Sequence, residues 1–304
     1  MVKTTKQNIM SLTIDQFYPI QYQTSVDLAL QQVDSRLQNA VTRADFIGKK
    51  KAFNLMNSRA ATLITTRKDA TPNNNTDLEK YWLTQNPYEI TETFDENDEF
   101  FLSQISLPTS EVVMNFAASF NRTMDSTVIG ALSGTRFIGE NGTTSDVLPS
   151  GQKIAINYVE SGSAVNSGLT IGKLRQASYV LDNANVPMDE RYIVIGPAQK
   201  RDLLRAGEVG DADYNTVRAL VNAEIDTFMG FKFVHTTLIP TGGGGTTQPV
   251  YAFHKSGVKL SVGKRASYMD IRPDLRHSLT VRSVMDLGAV RTENEKVVEI
   301  TCAI

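Results

Sequence analysis

Between Pro108 and Gly134 the apolar residues Val112, Phe116, Phe120, Met124, Val128 and Leu132 recur at every fourth position, with Val113, Ala117 and Ile129 widening the stripe. A strand cannot present such a set on one face, because its side chains alternate with period two. The spacing predicts one long amphipathic helix, with Pro108 and Glu111 suited to its first turn and Gly130 and Gly134 marking its far end. About 24 residues at ~1.5 Å each make a rod of roughly 36 Å. The rest of the chain has to pack along that rod. Its Met/Phe stripe reads as core in preference to the wall of a cofactor cavity.

The flanking sequence predicts an α+β chain without a regular βαβ repeat. Residues 1–24 are polar with scattered aromatics Phe17, Tyr18 and Tyr22, as in an arm that needs a partner surface to become ordered. In residues 25–44, Val26, Leu28, Leu30, Val33, Leu37 and Val41 predict a short amphipathic helix. Residues 45–87 read as a long hairpin-like excursion, in which ATLITT is a strand and TPNNNT a turn. Loops of such length inside a compact domain are functional or reach another surface. Downstream, Lys153–Val159 reads as a strand and LTIGKLRQASYVLDNANV as a helix capped by Thr170. RYIVIGPAQKRDLL reads as strand, Gly-Pro break and helix. Strands follow on both sides of Gly242–Gly245, then at GVKLSV, ASYMDIRPD, HSLTVRSVMDLGAVRT and EKVVEITCAI.

Charge is unevenly placed. Residues 1–68 hold ten Lys and Arg against four Asp, whereas residues 69–100 hold nine acids against Lys80. Such runs are either solvated surfaces or two faces that meet, within a subunit or between copies. The whole chain has a net charge of −2, which argues against wholesale neutralisation of nucleic-acid phosphates. Cys302 is the one cysteine, so no intramolecular disulfide framework exists, and a reducing compartment is expected. No apolar run reaches the length of a signal-peptide core at the start, or of a membrane-spanning helix anywhere, so no membrane partner is expected.

No catalytic constellation emerges. His235, His254 and His277 lie far apart without metal-ligand spacing, and nothing in the sequence assigns a base to Cys302. Asp95–Glu99 (DENDE) fails as a calcium loop, because Phe100 stands where the sixth-position glycine belongs and no twelfth-position glutamate follows. GENGTTS and TGGGGTTQ match neither phosphate-binding glycine pattern, and GSAVNSG lacks the spacing of a nucleophile elbow. No catalytic, cofactor or metal residue is therefore nominated, and a hydrolase or nuclease reading has no motif behind it.

Several segments, taken in order, carry a resemblance. GEVGDADYNTVRALVNAEIDTFMGFKFVHTTLIP, and IGPAQKRDLL before it, resemble major capsid proteins of tailed double-stranded DNA bacteriophages. PTSEVVMNFAASFNRTMDSTVIGALSGTRFIGENGTTSDVLPSGQ looks like the long helix and following loop of that family, ADFIGKKKAFNL like the start of its extended loop, and DLGAVRTENEKVVEI like its closing strands. The similarity spans roughly residues 25–302. It implies the Hong Kong 97-type capsid fold, with an N-terminal arm at 1–24, a short helix at 25–44 and an extended loop at 45–87. A peripheral domain at 88–161 would contain the spine helix 108–134, and an axial domain would fill 162–285. Strands at 286–304 would then return to the peripheral domain.

The function implied is a structural subunit that self-assembles as hexamers and pentamers into an icosahedral head enclosing DNA without sequence-specific binding. An encapsulin-like cellular compartment of the same fold is the alternative. The resemblance further implies assembly in the host cytoplasm, a separate scaffolding protein (no long helical extension precedes the arm), a portal, and a place for a decoration protein. Lys49, Lys50, Lys51 and Lys68 are available for the covalent cross-link formed in one branch of the fold, but no asparagine partner is identifiable and cross-linking is not expected. Contacts between subunits are expected at Arg43, Lys49, Lys50, Lys51, Arg59, Arg67 and Lys68 on the basic side, and at Asp95, Glu96, Asp98 and Glu99 on the acidic side.

Overall fold

The computed structural model describes residues 31–58, 61, 63, 78–94, 109–205, 227–275 and 277–304. In chain order the elements begin with strands β1 (Thr42–Arg43), β2 (Lys50–Met56), β3 (Leu78–Thr84) and β4 (Asn86–Phe94). Helix α1 (Thr109–Ser133) comes next, then β5 (Arg136–Ile138), β6 (Thr144–Asp146) and β7 (Lys153–Ile154). Helix α2 (Ile171–Asn183), β8 (Arg191–Ile195) and helix α3 (Pro197–Arg205) form the next stretch. The chain closes with β9 (Thr227–Phe228), β10 (Phe231–His235), β11 (Thr247–His254), β12 (Val258–Arg272), β13 (Ser278–Arg291) and β14 (Val297–Ala303).

Among the described residues the strands form three sheets, ordered β1-β12-β13-β4, β7-β14-β11-β8-β10-β9 and β2-β3-β5-β6. The apolar stripe of α1 lies where its spacing places it. Phe120, Met124, Val128 and Leu132 are buried against Leu260 and Val262 of β12 and Met285 and Leu287 of β13, while Val112 and Phe116 meet Val281. On the six-stranded sheet, Ile193, Ile195, Val250 and Ala252 face α2 through Leu174, Ala177 and Leu181. Their neighbours Val194, Tyr251 and Phe253 turn to the α1 side. Burial on both faces explains why YIVI and VYAF read as unbroken apolar runs instead of alternating.

Buried polar groups join the layers. The Thr170 side chain accepts from Lys173 N at 3.3 Å, the expected cap of α2. The Lys173 side chain is fully buried, and its ammonium donates to Ile156 O (2.9 Å), Ser167 O (2.8 Å), Gly168 O (3.1 Å) and Thr301 O (3.1 Å). Burial pulls its pKa down from the ordinary lysine value.

The structure corrects four sequence-based expectations. The helix expected at 25–44 is absent from its described part, where residues 31–44 hold only a 3₁₀ turn (Gln38–Ala40) and β1. There Asp125 and Asn121 of α1 take backbone groups of Val33, Arg36 and Leu37, and the apolar spacing reflects Leu37, Ala40 and Val41 entering the core. The strand expected at Lys153–Val159 stops at Ile154, since Tyr158 N turns back to Ala155 O and Ile156 O is held by Lys173. GVKLSV and ASYMDIRPD are one strand, β12, with a register shift between Val262 and Arg265. Finally, the boundary drawn at Met285 falls inside β13, which with β12 forms the sheet under α1. The last strand, β14, pairs with β11 and with β7, the latter within 88–161, and buries Val298, Ile300 and Cys302 against α2. Most of ATLITT and all of TPNNNT lie outside the described residues.

Candidate functional site

The β2–β3 hairpin carries three of the expected contact lysines at its start and is seated on the body through an apolar root. The strands pair antiparallel from Lys50↔Thr84 to Met56↔Leu78. Toward the far end the apolar side chains of Met56 and Leu78 are exposed. At the root, Tyr81 and Leu83 are buried with Val290, flanked by Phe46, Phe53, Leu55 and Ile138. Phe53 stacks on Tyr81 with ring centroids 5.5 Å apart, and the Lys259 ammonium sits 4.2 Å from the Phe53 centroid. The indole of Trp82 donates to Gly139 O at 2.9 Å. Gly288 of β13 lets the hairpin approach closely, since a Cβ there would stand 2.3 Å from Thr84 O.

Below the root a polar junction joins three chain segments to the end of α1. Arg136 donates to Asp146 and to Thr292 O, and lies 3.4 Å from Glu79 of β3. Arg291 is buried and donates to Asn294 (2.7 Å), Leu132 O (3.0 Å) and Gly134 O (2.9 Å), the last two being carbonyls at the C-terminal end of α1. Asn294 donates in turn to Asp146 at 3.0 Å. Burial acts to raise the Asp146 carboxyl, but hydrogen bonds from Arg136 and Asn294 outweigh it and hold the pKa below the usual aspartate value. For Arg291, burial draws the pKa down.

Of the expected contact residues, Lys49, Lys50 and Lys51 lie at the start of the hairpin and are exposed. Lys49 and Asp45 line a cavity of about 950 Å³ together with Gln85, Lys264 and Asp286. The Lys51 ammonium lies 5.2 Å from the Phe53 centroid and 5.8 Å from that of Phe46, so it also braces the root. Arg43 pairs within its own chain, 3.6 Å from Asp45, whose other oxygen accepts from Val262 N. Arg59, Arg67, Lys68, Asp95, Glu96, Asp98 and Glu99 lie outside the described residues. Sequence reasoning passed over Arg136, Asp146 and Arg291. The available signal was an arginine inside the apolar run MDLGAVR, a residue that is seldom buried without partners.

Among the described residues the geometry assembles neither an activated nucleophile nor a metal centre. Burial pushes the Cys302 thiol up to about 12, which keeps it protonated and unreactive. Among the described residues no three His, Cys, Asp or Glu side chains converge as metal ligands. Burial likewise lowers the pKa of His235 and His254, which sit on separate strands.

The family profile described as "Phage capsid protein" matches residues 14–304. No curated protein sequence matches the chain. Among solved structures, the capsid of cyanophage P-SCSP1u aligns with a TM-score of 0.72 at 15% identity, covering 98% of this chain and 97% of that one. The capsid of cyanophage Pam1 aligns at 0.70 with 13% identity, covering 98% and 99% of the two chains. That of Helicobacter pylori bacteriophage KHP30 aligns at 0.70 with 10% identity, covering all of both chains.

Proposed function

The chain belongs to the phage capsid protein family, and on that premise we propose that it is the major capsid protein of a tailed double-stranded DNA phage. It is a structural protein of the virion shell, its fold is the Hong Kong 97-type capsid fold, and its partners are copies of itself. The observation that carries this reading is the family match, which runs over nearly the whole chain, 14–304.

In this reading hexamers and pentamers of the chain close an icosahedral head around DNA. The β2–β3 hairpin reaches across a neighbouring subunit, and Lys49 and Lys50 are drawn to the acidic run Asp95, Glu96, Asp98 and Glu99. Such charges steer registration more than they supply affinity. Many individually weak contacts, made at once, hold the shell. A separate scaffolding protein templates closure in the host cytoplasm, a portal occupies one vertex, and decoration proteins have the outer surface available. A net charge of −2 suits an inner wall that does not grip packaged DNA tightly. An encapsulin-like compartment is the less favoured reading, because the family match and the solved neighbours are phage capsids.

Sedimentation velocity on the purified chain, with negative-stain images of the same sample, tests the proposal. Closed shells or discrete pentamers and hexamers are expected, alone or once scaffold is added. A monomer that persists with scaffold present would overturn it.

A further inference from the structure

A single carboxylate in the middle of α1 organises the segment from Gln31 to Val41 that lies along the helix. Asp125 is fully buried and accepts four hydrogen bonds, from Gln32 Nε2 (2.5 Å), Ser35 Oγ (2.6 Å), Arg36 N (3.0 Å) and Leu37 N (3.1 Å). Among the described residues no lysine or arginine forms an ion pair with it. A buried carboxylate is costly unless its oxygens are satisfied, so those four donors hold the arrangement together. Two of them are consecutive backbone N–H groups at the entry to the turn Gln38–Ala40, and Ser35 Oγ, itself held by the carboxylate, accepts from Gln38 N at 3.2 Å. The carboxylate does from a neighbouring helix what an N-cap side chain ordinarily does locally.

Upstream the chain follows α1 toward the helix N-terminus. Asn121 donates to Val33 O at 2.8 Å, and Gln31 bonds both Arg122 and Asn115, the latter at 3.1 Å. Asn115 precedes Asp125 by ten positions, about 15 Å along the axis. Leu37, Ala40 and Val41 are buried in the core. Apolar burial is non-directional and fixes depth more than register. The directional bonds to Asp125 fix register.

We propose that Asp125 is a positioning residue for assembly: it fixes the register of residues 31–41 along α1, and a subunit in which that segment is out of register does not join a shell. This rests on the shell-subunit reading above. The Arg36 side chain extends the same hold to the end of β10 by donating to His235 O, so a shift at Asp125 is felt in two layers at once.

The test uses the full-length chain carrying Asp125→Asn, which keeps the volume but turns one accepting oxygen into a donor that faces donors. Circular dichroism checks the fold, hydrogen exchange reads the Arg36 and Leu37 amides, and sedimentation reads assembly. We expect an unchanged spectrum, exchange at those two amides faster by about tenfold or more, as bonds to a charged group are lost, and shells reduced to free subunits or irregular polymers. If Asp125→Asn does not fold, the double variant Gln32→Ala/Ser35→Ala removes two donors without touching α1 and must show the same two changes in weaker form. Unchanged exchange, or normal shells despite faster exchange, would overturn the proposal. If the wild-type chain never assembles, the shell reading fails, and the exchange measurement alone still decides whether Asp125 holds the segment.

Discussion

Arg291 ends β13 with its guanidinium turned inward, where it closes the C-terminal end of α1 through Leu132 O and Gly134 O. Those carbonyls are among the groups a helix cannot satisfy internally. Arg291→Met keeps much of the volume but orphans them along with Asn294, so a loss of about 3 kcal/mol is expected, read by chemical denaturation of unassembled subunits. Lysine would not replace the fork, because one ammonium cannot spread over three partners in that plane. Acid should act on two other residues. Ser256 N can only donate, so His254 Nδ1 must accept from it at 3.2 Å and is unprotonated in the fold. Burial places its folded pKa below 6.5. The unfolded chain then binds the extra proton first, and stability falls as pH drops below that value. His254→Asn keeps an acceptor without the titration, and its denaturation midpoint should change less than wild type between pH 7.5 and pH 5.5. Asp146 has the opposite chemistry and the same sign. Its depressed pKa contributes stability that is complete above the ordinary value of 3.8 and is lost as pH falls through the folded value.

Among the elements, the hairpin is seated by the absence of a side chain. Gly288→Ala would put a methyl 2.3 Å from Thr84 O and 2.9 Å from Leu83 Cδ2, and backbone cannot retreat as a flexible side chain does. A cost of about 2 kcal/mol with a tilted hairpin is expected, seen as a lowered denaturation midpoint and slower assembly by light scattering. That close approach could not be read from the sequence, where Gly288 looks like any glycine within a strand. The spine helix was legible because its period belongs to the helix alone, and Thr109–Ser133 matches the expected 108–134 closely. The strap at residues 31–44 was misread because its apolar residues are spaced by contacts with α1, which no local periodicity records. GVKLSV and ASYMDIRPD were expected as two strands, although the chain runs between them through an irregular pairing at Val262–Arg265. At the candidate contact surface, Lys49, Lys50 and Lys51 stood out as a charge run, whereas the Arg136–Asp146–Arg291 junction did not. Its members are separated by as many as 155 positions and meet only in space.

For the whole molecule, the uneven charge predicts a defect of assembly without a defect of folding. Because Lys51 also braces Phe46 and Phe53, the informative variant is Lys49→Glu/Lys50→Glu. Its melting should match wild type, while shell formation followed by light scattering should slow or fail. Wild-type assembly should itself slow with added salt, since exposed charges are screened beyond about 8 Å at physiological ionic strength. Normal shells from the double variant would end the steering idea. Resistance to the surrounding solution has a different origin where α2 meets β14 and the 156–168 loop. Four carbonyl oxygens converge on the Lys173 ammonium at 2.8–3.1 Å, the kind of oxygen nest that dissolved alkali metals occupy elsewhere. Here the occupant is tethered to the polymer. Chelators cannot extract it and dilution cannot empty it, so each tile of the container brings its own electrolyte to this corner, and only alkali strong enough to strip the buried proton would discharge it.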